Sequence, residues 1–192
     1  MDHADKEKPM KREARIVTMK DGRSCLLRPV RPEDAAGLLN YLKQSTRETP
    51  YLLRTPEEAD ALTMEMEERF VERMTQSENE LMLVAEVEGQ VAGNCQITFS
   101  PRAKTRHRAT IGIALLKPYW AQGIGTAMFE ELLDEARHRE GVTQVELEFV
   151  EGNSRARALY EKMGFRVVGL HPDALRQPDG TLVNNYLMML KL

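Results

Sequence analysis

The sequence predicts an α/β protein, a mixed and mostly antiparallel sheet flanked by helices. Three observations carry that expectation. Short stretches such as Thr110–Leu115 and Gln144–Val150 alternate at the spacing of strands. Longer stretches repeat apolar residues at helical spacing, as in Phe129, Leu132, Leu133 and Ala136. The two kinds interleave with no internal repeat, low-complexity tract or Pro/Gly-rich linker, so one domain over residues 15–192 is expected behind a flexible charged tail at 1–14.

In order, Arg15–Met19 and Ser24–Arg28 read as strands around an Asp21-Gly22 turn. Pro32 with Glu33 and Asp34 opens a helix running to about Gln44. Thr55-Pro56-Glu57-Glu58 opens a second, expected to continue to Gln76 on a stripe of Leu62, Met66, Phe70 and Met74. Leu81–Val87 and Gln90–Phe99 form a hairpin through Glu88-Gly89. Along Thr110–Leu115 one face carries Ile111, Ile113 and Leu115, and the other only Thr110, Gly112 and Ala114. That lean face leaves room for a close approach to the backbone. A helix to about Arg139, a strand at Gln144–Val150, a short helix from Ser154 to Met163 and strands near Phe165–Leu170 and Leu182–Leu190 complete the chain.

Composition removes several functions. The longest apolar run is Leu81–Ala85, far short of the roughly 20 residues of a membrane helix. No apolar segment suited to a secretory signal precedes residue 15. Cys25 and Cys95 lie in apolar strand-like stretches without ligand-spaced neighbours, which suggests buried free thiols, a reducing cytoplasm and no metal. A formal charge of −3 gives no pull toward nucleic acid or anionic membranes. One local exception is the loop holding Arg102, Lys104, Arg106, His107 and Arg108, which suits an exposed hairpin tip, a bound phosphate, an acidic partner or a second subunit.

Gln122-Gly123-Ile124-Gly125-Thr126-Ala127 lies between a strand end and a helix start. Glycines there let backbone N–H groups approach a ligand, and the helix N-terminus adds partial positive charge, so the segment suits a pyrophosphate. A dinucleotide fingerprint would need a small residue where Met128 stands, and a P-loop would need Gly-Lys-Ser/Thr, which does not occur.

With Trp120-Ala121-Gln122-Gly123-Ile124-Gly125 and Asn153-Ser154-Arg155-Ala156-Arg157-Ala158-Leu159-Tyr160-Glu161-Lys162-Met163-Gly164-Phe165, the chain resembles the GNAT family of N-acetyltransferases from about Ser24 onward. Trp120 stands where the family signature has Arg or Gln. The resemblance implies the GNAT-type sheet, acetyl-CoA as cosubstrate without a metal, and an amine acceptor, either a small molecule or a protein N-terminus. It also makes a homodimer an expectation. Carried over by position, the backbone of Ile113 and Leu115 meets the pantetheine arm, residues 122–127 hold the pyrophosphate, and Asn153 and Tyr160 face the arm and the sulfur. Those last two are two helical turns apart, about 10 Å. Asn153 also suits an N-cap, and Tyr160 an apolar stripe with Ala156 and Met163.

Amine acetylation then defines what else is needed. An alkyl amine of pKa near 10.4 is only about 0.1% neutral at pH 7.5, roughly 4 kcal/mol from its nucleophilic form. A base is useful, and the departing thiolate needs a proton donor. Tyr160 suits the donor. Glu148 is taken as the base, with Glu146 and Glu48 as the other acids considered. The loop Ser45–Arg54 between the first two helices holds Glu48 and Tyr51, a suitable lining for a cationic acceptor. A non-catalytic acyl-CoA sensor of the same fold and a nicotinamide-dependent oxidoreductase are the competing readings.

Overall fold

Alternating segments become eight strands and helical repeats five α-helices in the computed structural model, which describes residues 12–192. Positions 1–11 of the expected tail lie outside the described residues. The elements are β1 (Arg15–Thr18), β2 (Ser24–Pro29), α1 (Ala35–Glu48), α2 (Pro56–Asp60), α3 (Met64–Gln76), β3 (Glu80–Val87), β4 (Gln90–Phe99), β5 (Arg108–Leu115), α4 (Ile124–His138), β6 (Gln144–Val150), α5 (Ser154–Lys162), β7 (Arg166–Arg176) and β8 (Leu182–Lys191). Short 3-10 turns occupy Pro32–Asp34 and Lys117–Tyr119.

One mixed sheet runs β1-β2-β3-β4-β5-β6-β8-β7, and β5–β6 is its parallel pair. The α4 and α5 side buries Leu83, Ile97, Phe129, Leu132, Leu147 and Phe165. The α1 and α3 side buries Leu38, Tyr41, Val71, Met74, Met82 and Val84. The sheet is therefore covered on both faces, as the interleaved pattern implies.

The second expected helix is two helices. Ala61 ends α2, and the Thr63 side chain accepts from Met66 N to start α3 afresh. The new start rotates the face: Met66 is 52% exposed, while Glu67, Val71 and Met74 are buried.

Polar residues also enter the interior. Arg28 is buried and pairs with Asp34 through both guanidinium arms at 2.7 Å, and with Glu86 at 2.8 Å. This network ties β2 and β3 to the turn before α1. Burial alone would raise the Asp34 pKa, but the hydrogen bonds from Arg28 and the Arg31 N–H outweigh it and lower the value. Asp34 thus contributes stability that is present above its unfolded pKa of about 3.9 and lost as pH falls through its lower folded value. Arg28→Ala is expected to cost about 3 kcal/mol or more at pH 7, by leaving the carboxylate buried and unpaired. Thermal melting from pH 7 to pH 3 checks this: the deficit should shrink as pH falls, because Asp34 without its counter-ion takes up a proton at a higher pH than the paired carboxylate does.

Candidate active site

The site begins where two strands part. β5 pairs with β6 only at Arg108↔Gln144, Ala109↔Val145 and Thr110↔Glu146, yet stays paired with β4 as far as Leu115. Beyond Thr110 the edges of β5 and β6 diverge. Leu116 N donates to Ala92 O at 2.9 Å, so even-numbered residues of β5 turn their backbone groups to β4 and odd-numbered ones turn theirs to the opening. The N–H and C=O of Ile113 and the N–H of Leu115 therefore face the cleft. The Leu115 carbonyl is already taken by the Trp120 indole N–H at 2.6 Å. The lean face of Gly112 and Ala114 turns toward α1 and α3 instead, where Ala114 packs. A ligand meets β5 along its edge, not on that face.

Just past the end of β5 the chain turns into α4. Ala121 (φ 59°) and Gly123 (φ 96°) adopt left-handed conformations around Gln122, and Gly123 is the N-cap of α4. Such alternation turns successive N–H groups toward one concavity, and the first turn of the helix has no internal acceptors for its own. The backbone N–H groups of Gly123, Ile124, Gly125 and Thr126 form this cradle; that of Ala127, expected to join it, already donates to Gly123 O at 3.2 Å as the first bond of the helix. The Gln122 side chain does not join it, because its Oε1 accepts from Asp21 N at 3.2 Å and anchors the β1–β2 turn. A Cβ on Gly125 would stand 3.0 Å from Leu159 Cδ2 and 3.8 Å from side-chain atoms of Ile113 and Leu115. Glycine thus brings helix, strand and α5 together.

Asn153 is the N-cap of α5, its Oδ1 accepting from Ala156 N at 3.3 Å, which leaves the amide NH2 to donate elsewhere. Two turns on, Tyr160 lies edge-on to Phe129 and Phe149, with ring centroids 5.5 and 6.0 Å away. Burial pushes its phenol up to about 12. Its hydroxyl has no hydrogen-bond partner among the described residues, yet it is not among the sealed, unpartnered polar atoms. The ring is core, and the hydroxyl keeps a little solvent access.

The three acids occupy different settings. Glu146 is buried; Arg108 binds both its oxygens and Gln144 donates at 2.6 Å, so its pKa is lowered against the opposing effect of burial. It is a structural counter-ion, and the Arg108 of the basic loop is spent on it. The rest of that loop joins β4 to the start of β5, a strand length of about 25 Å from the cradle at the other end. Glu148 lies on β6 past the divergence, exposed, and accepts from Asn185 Nδ2 at 2.6 Å. Glu48, the last residue of α1, accepts from the Lys117 backbone N–H at 2.6 Å, immediately after β5. On the β6 side, the Tyr51 hydroxyl donates to Gly152 O at 3.0 Å. The α1–α2 loop consequently bridges the open ends of both strands.

Cys25 and Cys95 are free and buried, and burial raises both thiol pKa values, so neither is placed as an acyl-carrying thiolate. Among the described residues no three His, Cys, Asp or Glu gather as metal ligands, and no helix is long and apolar enough to cross a membrane.

The profile of the Acetyltransferase (GNAT) family matches residues 42–165, and the chain belongs to that family of acetyl-CoA-dependent acyltransferases. The L-amino acid N-acetyltransferase AaaT of Escherichia coli (strain K12) is 29% identical over 118 residues, 61% of this chain and 72% of that protein. A GNAT acetyltransferase from Streptococcus pneumoniae superposes with a TM-score of 0.81 at 29% identity, covering 88% of this chain and 99% of its own. The yncA protein of Salmonella typhimurium, solved with acetyl-CoA, shares the fold, with a TM-score of 0.73 at 18% identity over 92% of this chain and 95% of its own. The geometry fits this cosubstrate. The cradle from Ala121 to Thr126 contains no acid, a glycine stands where a Cβ would crowd the walls, and the opened strand edge can match an amide-bearing arm.

Proposed function

We propose that this acyltransferase moves the acetyl group of acetyl-CoA onto a primary amine, of a small molecule or a protein N-terminus, by direct attack. The observation that carries the reading is the divergence of β5 from β6 beside the glycine-capped start of α4. The backbone of Ile113 and Leu115 holds the pantetheine arm, and the Gly123–Thr126 amides hold the pyrophosphate. Asn153 steadies the arm. The neutral amine forms the C–N bond as the C–S bond breaks; Glu148, through water, accepts the amine proton, and Tyr160 donates to the sulfur. The named activity of the Escherichia coli relative makes amino-acid amines the first acceptors to try.

The test is an acceptor screen that reads released CoA thiol. Release with one class of amine is expected; acetyl-CoA binding without release for any amine would return the chain to the role of a sensor.

In this reading Glu48 and Tyr51 flank the acceptor. Glu48→Gln keeps an oxygen for the Lys117 N–H but removes the charge. It is expected to raise the acceptor KM several-fold, roughly the loss of one exposed ionic contact, while leaving the Kd for CoA unchanged. Steady-state kinetics beside calorimetry read both, and an unchanged acceptor KM would make Glu48 a strand-end cap only.

A cytoplasmic homodimer over a single domain at 15–192 completes the proposal. Its supports are the free thiols, and the outer strand β7, which exposes Val167, Val168 and Leu170.

A further inference from the structure

α5 carries two stripes. Ala156, Tyr160 and Met163 face the core. Arg155, Leu159 and Lys162, at i, i+4 and i+7, face the start of α4. The Arg155 Cζ lies 4.0 Å from the centroid of the Trp120 ring. Leu159 Cδ2 meets the Gly125 position at 3.0 Å. Lys162 Nζ donates to Thr126 Oγ1 at 3.3 Å. The cradle amides of α4 thus begin between two cations brought from the opposite wall.

Trp120 explains the first of these. Its indole is pinned by the bond to Leu115 O, so the ring presents a fixed face on which a planar guanidinium can stack. The signature position that would otherwise carry a cation or an amide carries the platform for one. Neither Arg155 nor Lys162 has a carboxylate partner among the described residues, whereas Arg157, on another side of α5, is paired with Glu161 at 2.8 Å. Two uncompensated charges flanking a helix N-terminus suit a ligand with several negative charges.

We propose that α5 supplies the side-chain charges of the CoA phosphate site: Arg155, stacked on Trp120, and Lys162, beside Thr126, bind the phosphates from the wall facing the α4 N-terminus. This rests on the acetyl-CoA reading above. A helix terminus offers only about half a unit charge. The two side chains provide the rest, and Leu159 between them sets their spacing.

The test is calorimetry of the full chain with CoA and with pantetheine, which has no phosphate. Arg155→Ala and Lys162→Ala are each expected to weaken CoA about tenfold, in keeping with one charge-assisted hydrogen bond apiece, and to make the affinity less sensitive to salt. Pantetheine affinity should not change, and Arg157→Ala should bind CoA as the unaltered chain does. Trp120→Leu combined with Arg155→Ala should cost less than the sum of the two, since one holds the other. Unchanged CoA affinity in both α5 variants, while the unaltered chain binds CoA, overturns this proposal and leaves the acetyltransferase reading intact. Failure of the unaltered chain to bind CoA overturns both.

Discussion

Gly125→Glu is expected to abolish CoA binding in a protein that still folds. The new Cβ would stand 3.0 Å from Leu159 Cδ2, the far end of a flexible side chain that can give by a few tenths of an ångström. Helical backbone suits glutamate, and an acid in the first turn of α4 gains about 0.3–1 kcal/mol from the helix dipole. These effects keep the cost to stability modest. Binding responds differently. The added chain extends into the space shared by α4, α5 and the Ile113–Leu115 edge, and its carboxylate places a negative charge where the amides would receive a pyrophosphate. Repulsion at about 4 Å is near 4 kcal/mol for one pair at an effective dielectric of 20, some three orders of magnitude in affinity. Calorimetry with CoA, beside a melting curve, reads the two effects separately. Gly125→Ala is the control: it adds the crowding without the charge and should lose far less affinity. A folded Gly125→Glu protein with unaltered CoA affinity would remove the cradle from the cofactor site.

Local chemistry was legible in the sequence; long-range pairing was not. Glu88-Gly89 became a turn with both residues at positive φ, and Thr55 with Pro56 began a helix, because each depends on a few adjacent residues. The helix of Phe129, Leu132, Leu133 and Ala136 was clear for the same reason. The break between α2 and α3 was hidden, since Ala61-Leu62-Thr63 contains neither glycine nor proline and only the Thr63 cap marks it. Along β6 Gln144, Glu146 and Glu148 fall on one face of the alternation, a pattern usual for a solvated surface. In the structure Gln144 and Glu146 are buried, because parallel pairing brings Arg108 against Glu146 from 38 residues away. Placement of β8 between β6 and β7 was equally non-local. At the site, the two GNAT-like blocks were visible as motifs, but the Arg155–Leu159–Lys162 stripe acquires a meaning only once α4 is known to lie across from it. The competing stripe of Ala156, Tyr160 and Met163 has the stronger apolar signal.

Tyr160→Phe is expected to lower kcat by about 10²-fold while leaving the fold and most CoA affinity in place. The substitution keeps the ring, and with it the edge-on contacts to Phe129 and Phe149. It deletes a hydroxyl that has no partner among the described residues, so the melting temperature should hold. The elevated pKa, about 12, shapes the mechanism. A free thiol has a pKa near 8.5, so complete proton transfer from this phenol to a thiolate is uphill by about 3.5 units, roughly 5 kcal/mol. In the proposed reaction the hydroxyl would therefore act first as a hydrogen-bond donor to sulfur while the C–S bond breaks, when charge on the sulfur is greatest. Solvent delivers the net proton afterwards. The same elevation keeps the phenol protonated throughout pH 6 to 9, so it does not titrate in the working range. Because the hydrogen bond forms to the developing thiolate at every pH in this range, the ratio of unaltered to Tyr160→Phe kcat should stay at about 10² from pH 6 to 9; a ratio that falls steeply above about pH 8.5 would instead point to full proton transfer. Paired kcat–pH profiles with the best acceptor amine measure it directly. Equal kcat for the two proteins from pH 6 to 9 would make Tyr160 a core aromatic and leave water as the only donor to the sulfur.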